Sequence, residues 1–310
     1  MGGLSLIINT LLTIVSGAAL LTFVLIISLL FFGAENIIFN IECSNGNLLQ
    51  PFASLLTGRC GDNSSCPPAS LYISCLSLLL IFLLIPMGSL PQFVSTEADL
   101  FIVFFLLLSA QGFYIRGIKK FSIELYQSLD RSDVNLLFKF TVALLTIGGA
   151  FSWYILNRGI PGGIFSIETY NAAFIWNVST ILGKAGIVLF FVLLSVTSPC
   201  RKITNRYRKD NVPLPEIFDA ARSTICPAII AAIFMPWNIG LNIGFIALPM
   251  YILDFALFWL KVFVLQVIII PAVRNVYVRL RSKLPPGMKL LIVIVLGMFG
   301  SLFLIADLYI

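Results

Sequence analysis

Residues 4–32 read LSLIINTLLTIVSGAALLTFVLIISLLFF, a run without a single charged side chain. An α-helix rises about 1.5 Å per residue, so about 20 apolar residues cross a hydrocarbon core about 30 Å thick. The run is long enough to span a bilayer. It is far longer than the apolar core of a signal peptide and has no basic region before it, so it predicts a retained transmembrane helix.

Working outward from it, seven further apolar segments meet or approach the same length: Ser70–Leu90, Leu100–Ile118, Val134–Leu156, Ala172–Val196, Ile225–Trp237, Ile243–Pro271 and Leu290–Leu308. The sixth stops at the turn Pro236-Trp237-Asn238 and needs residues before Ile225 to span. With 59% hydrophobic residues, 11% charged and a mean hydropathy of +1.01, a soluble fold is excluded, since soluble domains carry about a quarter charged residues. There is no fixed-period repeat, low-complexity tract or linker. The expectation is an all-α, polytopic transmembrane bundle of about eight helices, residues 1–310 forming one integral membrane domain.

Lys and Arg resist translocation, so their distribution orients the bundle. The odd-numbered loops hold nearly all of them. Arg59 lies in the first, and Arg116, Lys119, Lys120 and Arg131 in the third. The fifth has Arg201, Lys202, Arg206, Arg208, Lys209 and Arg222, and the seventh Arg274, Arg279, Arg281, Lys283 and Lys289. The even loops hold only Arg158. This places the odd loops in the cytoplasm and both termini outside, in a multi-pass protein of the cell (inner) membrane. The net charge of +6 is then a mark of topology, not of nucleic-acid binding. Membrane lipid is the expected surrounding, and the run RKITNRYRK from Arg201 to Lys209 suits either plain anchoring or contact with anionic lipid or an acidic partner.

No histidine is present, which removes the commonest metal ligand and general base, and the six cysteines show no C-x-x-C spacing. Cys43, Cys60 and Cys66 share a polar segment that the topology places in the reducing cytoplasm. The G-x-S-x-G, G-K-[ST] and G-x-G-x-x-G motifs are all absent, so no catalytic residue and no metal site is assigned. Chemistry, if any, rests on ionisable side chains inside the hydrocarbon, each costing at least about 2.5 kcal/mol. These are Lys139, Lys184, Asp254 and Lys261. Asp254 and Lys261 lie seven residues apart, on one helix face but two turns apart, so each needs a further partner. A proton or ion relay and plain structural pairing are both open, and Lys139 sits where snorkelling suffices. Asp99, beside Glu97, opens the third helix, where a carboxylate is favoured by the helix dipole. Gly148, Gly149, Gly162 and Gly163 suit close packing or turns.

The order of several short motifs resembles one known family. Gly46-Asn47-Leu48-Leu49-Gln50-Pro51-Phe52 is similar to a G-x-L-Q-P stretch, Ile85-Pro86-Met87-Gly88 to I-P-F-G, and Ala98-Asp99-Leu100 to S-D-L. Phe234-Met235-Pro236-Trp237 looks like F-I-P-W, and the stretch from Ala272 to Arg281 looks like R-x-R-L-R. These features in this order resemble the subunit 1 family of respiratory complex I, the membrane-embedded NADH-quinone oxidoreductase component. Within that family they are nearer the membrane subunits of formate hydrogenlyase and hydrogenase-4 type complexes.

The resemblance implies a non-catalytic subunit of a redox-coupled, ion-translocating complex. Such a component anchors a cytoplasmic electron-transfer arm whose iron–sulfur clusters sit in partner subunits. Docking candidates are Gln50, Arg201, Lys202, Arg206, Arg208, Lys209, Arg274, Arg279 and Arg281; ion-path candidates are Asp254, Lys261, Lys184, Lys139, Glu35 and Asp99. Glu35 is the position similar to the family's glutamate after the first helix. The departures concern the quinone site. Where the family has an acidic loop of the P-F-D-L-x-E-A-E type, this chain has Ser198-Pro199-Cys200-Arg201-Lys202, and it has Lys139 where the family has an acid. Quinone binding is therefore not carried over, and no cofactor is assigned to the chain itself. An independent permease for a small neutral solute is the alternative from another class, and a purely structural scaffold a third.

Overall fold

The computed structural model describes residues 2–38, 68–87, 99–121, 131–172, 176, 179–199, 213–235, 248–282 and 288–309. These residues form an all-helical bundle. In chain order the helices are α1 (Gly2–Ile38), α2 (Ala69–Ile81), α3 (Asp99–Phe121), α4 (Arg131–Arg158), the short α5 (Ile167–Ala172), α6 (Ile181–Thr197) and α7 (Pro213–Phe234). Next come α8 (Leu248–Val264), a π turn (Leu265–Ile269) and α9 (Ile270–Ser282), which run on as one rod, and then α10 (Met288–Leu308). Five segments are long and apolar enough to cross a membrane: Val15–Glu35, Asp99–Phe121, Leu136–Arg158, Ile217–Phe234 and Ile252–Leu280. Three shorter apolar helices, Ala69–Ile81, Ile181–Thr197 and Ile292–Leu308, bring the set to the eight expected from the apolar runs.

The centre of the bundle is α7. Its Ile217–Phe234 segment is 89% buried, and it packs on α1, α2, α5, α6, α8 and the π turn. Small residues let the neighbours close in: Ala220, Ala221, Ala228, Ala231 and Ala232 are all buried. Prolines at Pro213 and Pro215 sit in the first turn, where a missing N–H costs nothing, so α7 begins well before Ile225, as its span requires. It ends at Phe234, just ahead of Pro236. The most extensive pairings elsewhere are α6 with α10 and α2 with α3. Between α6 and α10 the backbones approach closely: a Cβ on Gly186 would lie 2.8 Å from the Gly300 carbonyl oxygen, and one on Gly300 2.8 Å from the Phe190 ring. Outward-facing Phe105, Leu156, Ile252 and Met298 give the bundle the apolar exterior that lipid requires.

Contacts sort the helix ends into two groups. At one end, α4 closes in a Schellman turn: Ile160 N–H donates to Ile155, Gly159 N–H donates to Leu156, and Gly159 takes φ +65°. The loop beyond it accepts from Leu100, whose N–H reaches the Phe165 carbonyl at 3.0 Å. Trp176 Nε1 there donates to the Phe234 carbonyl at 2.8 Å. At the other end, Tyr114 of α3 stacks on Phe218 of α7 at 3.8 Å, and Gly117 approaches Leu71 of α2. The start of α3 and the ends of α4 and α7 thus share one end of the bundle, and the α3 end carrying Tyr114 and Gly117 lies at the other with the starts of α2 and α7, as alternating spans demand.

Three boundaries differ from the sequence reading. The fifth span begins at Ile181, not Ala172, because α5 and a turn precede it. The second helix closes at Ile81 and continues as turns to Ile85. The seventh does not stop at Pro271. Proline removes a donor and its ring crowds the carbonyl four residues back, here Val267, but the π turn immediately before it widens the ladder and the helix continues to Ser282. Arg274, Arg279 and Arg281 consequently lie on helix α9, not in a loop.

Candidate functional site

The π turn buries three consecutive side chains, Leu265, Gln266 and Val267, which a regular helix on a bundle surface does not do. Gln266 is thereby carried inward between α1 and α7. Its Nε2 donates to Glu35 Oε2 at 3.1 Å and to Ser223 Oγ at 3.3 Å, while its Oε1 lies 3.4 Å from Thr224 Oγ1. Ser223 and Thr224 each also donate to the Ala220 carbonyl, at 2.9 and 3.1 Å. Glu35 is only 3% exposed. A second backbone irregularity meets the first here, since Pro227 of α7 has no N–H to offer the Ser223 carbonyl one turn below. π turns and interrupted helices concentrate at functional positions because they free backbone groups and re-aim side chains. A carboxylate, a carboxamide and two hydroxyls are gathered where two helices are both irregular.

Further along α8, Asp254 is buried and Lys261 half-buried. Lys261 Nζ donates to the Met235 carbonyl at 3.0 Å, satisfying a carbonyl at the C-terminus of α7, where positive charge also suits the helix dipole. Asp254 is near enough to act on it electrostatically. From Asp254 to Gln266 the helix rises about 18 Å, so α8 and the π turn carry polar groups through about half the hydrocarbon.

At the even-loop end, Asp307 of α10 forms a separate cluster. Its Oδ1 accepts from Thr180 N–H at 2.7 Å, from Gly183 N–H at 3.2 Å and from the Thr180 hydroxyl. Its Oδ2 accepts from Tyr154 Oη at 2.6 Å and Arg158 Nη2 at 3.2 Å, and the same guanidinium nitrogen reaches the Asp307 carbonyl at 2.7 Å. Asp307 is thus the N-terminal cap of α6, supplied from another helix. Its role is to join α4, α6 and α10.

Of the residues singled out from sequence, Glu35 and Asp254 lie in the interior and Lys261 at its edge, whereas Lys139 and Lys184 are exposed. Lys139 faces outward from α4, and Lys184 falls in the first turn of α6 because that helix starts later than expected, so neither enters a buried relay. Asp99 opens α3 as expected but is fully buried. Gln50, Arg201, Lys202, Arg206, Arg208 and Lys209, with Cys43, Cys60 and Cys66, lie outside the described residues. Gly148 packs against Leu100, and Gly162 has φ +127° beside Thr169. Sequence reasoning missed Gln266 and Asp307. Pro271, five residues on, was a signal for the first, and Arg158, alone in the even loops, for the second.

Chemically, the interior cluster can hold or pass a proton at Glu35 or coordinate polar groups there. Among the described residues no group of three His, Cys, Asp or Glu side chains is placed to hold a metal ion. Comparison with known proteins finds no matching family model and no matching curated sequence.

Proposed function

We propose that this chain is a membrane-embedded, non-catalytic subunit of a redox-coupled, ion-translocating complex, with Glu35 as a proton-carrying group. The observation that supports this most is the Glu35–Gln266 bond at the meeting of the π turn and the Pro227 irregularity. A carboxylate at membrane depth is costly and is retained chiefly where it serves an ion path. Gln266 holds it on one side, and Lys261 and Asp254 extend the polar line along α8. The order of short motifs favours the complex I subunit 1 lineage, nearer the hydrogenase-4 and formate hydrogenlyase branch. In this reading the iron–sulfur clusters belong to partners docked at the basic end, which faces the cytoplasm with both termini outside.

The test is purification from native membranes in mild detergent, with iron content and the masses of co-eluting subunits measured. Iron–sulfur subunits eluting with the chain support the proposal; a chain that runs alone removes it. A permease for a small neutral solute is the second reading, favoured by the paired helix interruptions that transporters use at a binding site. Uptake of solute into vesicles holding only this chain would establish it.

A further inference from the structure

The α8–π–α9 rod is longer than a membrane span needs. Its apolar segment Ile252–Leu280 is about 43 Å long at 1.5 Å per residue, against a hydrocarbon core of about 30 Å. If the core starts at Ile252, it is filled near Pro271, so α9 emerges into the headgroup layer at the basic end of the bundle. The sequence of α9, IPAVRNVYVRLRS, has three arginines and no acid. Val276, Val278 and Leu280 are 60%, 50% and 57% exposed between them. Tyr277 is half-buried in the same stretch, a residue type enriched at membrane interfaces. A surface that only met water or an acidic protein would not alternate exposed aliphatic side chains with arginines. An interface that offers acyl chain and phosphate at the same depth accommodates both.

We propose that α9 is a binding site for anionic phospholipid, with lipid phosphates taken by Arg274 and Arg279 and the upper acyl chain lying against Val276 and Leu280. Val276 and Leu280 are four residues apart and share a helix face, with Val273 beside them. The helix register puts Arg274 and Arg279 on opposite flanks of that face, so lipid phosphates at the headgroup level meet guanidinium donors on both sides of the acyl chain. Arg274 and Arg279 also interact within the chain, but a guanidinium has five donors and retains several for a phosphate. The site is independent of any ion path through Glu35.

The experiment is native mass spectrometry of the full chain released from detergent, with added dioleoyl phosphatidylglycerol or dioleoyl phosphatidylcholine. The wild type is expected to hold phosphatidylglycerol at least about tenfold more tightly than phosphatidylcholine, since several screened charge contacts act together. The variant R274Q/R279Q/R281Q should lose that preference, while R116Q/K119Q/K120Q, at the same end on α3, should keep it. Equal retention of the two lipids by the wild type overturns the proposal. So does full displacement by millimolar inorganic phosphate, which would mark a small-anion site, or an unchanged preference in the α9 variant. Size-exclusion elution at the wild-type position shows that each variant is folded.

Discussion

Asp307 caps the N-terminus of α6 through Thr180, whose N–H donates to Oδ1 at 2.7 Å across 127 residues of sequence. The same carboxylate holds Tyr154 and Arg158 of α4, so a single buried side chain on the last helix fastens two others. The first N–H groups of a helix have no partner within it, and Asp307 supplies the acceptor for those of Thr180 and Gly183.

Replacing Asp307 with Ala should therefore destabilise the protein by about 1–2 kcal/mol through loss of the α6 cap and of the Tyr154 hydrogen bond, with Asp307→Asn milder because it keeps an acceptor for Thr180. Thermal unfolding in detergent checks this. A midpoint for Asp307→Ala equal to that of the wild type would show that the cap contributes nothing.

The glycines make a paired prediction. Gly186→Ala forces a methyl to 2.8 Å from the backbone oxygen of Gly300, which cannot move aside as a side-chain tip can, and should cost about 1–3 kcal/mol by overpacking. Gly149→Ala meets nothing within 4 Å and should be neutral or stabilising by up to about 1 kcal/mol through helix propensity. The two substitutions are chemically identical, so a difference in unfolding midpoint isolates the close approach of α6 and α10.

Glu35 and Gln266 should be energetically coupled. In a double-mutant cycle with Glu35→Leu and Gln266→Leu, an interaction energy of about 1–2 kcal/mol is expected, since each single change strands a buried polar partner. If Glu35 also carries protons, Glu35→Gln should abolish ion translocation by the assembled complex while leaving subunit assembly intact. Normal translocation by a fully assembled Glu35→Gln complex would remove it from the path.

Tyr170 supplies a pH dependence outside the spanning helices. Its hydroxyl donates to the Ile164 carbonyl at 2.8 Å, with the Gly148 carbonyl at 3.3 Å, and burial pushes its pKa above the ordinary tyrosine value. An acid whose folded pKa is raised contributes stability below its unfolded pKa, and that stability is lost as pH rises past about 10. Unfolding midpoints measured from about pH 8 to about pH 11 should fall more steeply above about pH 10 for the wild type than for Tyr170→Phe. Parallel curves would exclude Tyr170 as the source.

Helix number and approximate span were legible in the amino acids, because apolar length is a local property that lipid reads directly. So was the start of α7 before Ile225, from the length a span needs. Which ionisable groups lie inside was not legible. In a membrane bundle the lipid and the protein interior are equally apolar, so hydrophobic periodicity does not say which helix face meets a neighbour. Lys184 stood beside Asp254 among the charges of the apolar runs, and packing leaves it exposed, as it does Lys139, whose place near a helix start already suited snorkelling. Gln266 acquires its place only from contacts with Glu35, 231 residues away, and with Ser223 and Thr224. The end of the seventh helix shows the same division: local chemistry says that Pro271 breaks an α-helix. Only the folded bundle supplies the widened turn that lets the rod pass it, buries Gln266 and extends the helix through Arg274, Arg279 and Arg281.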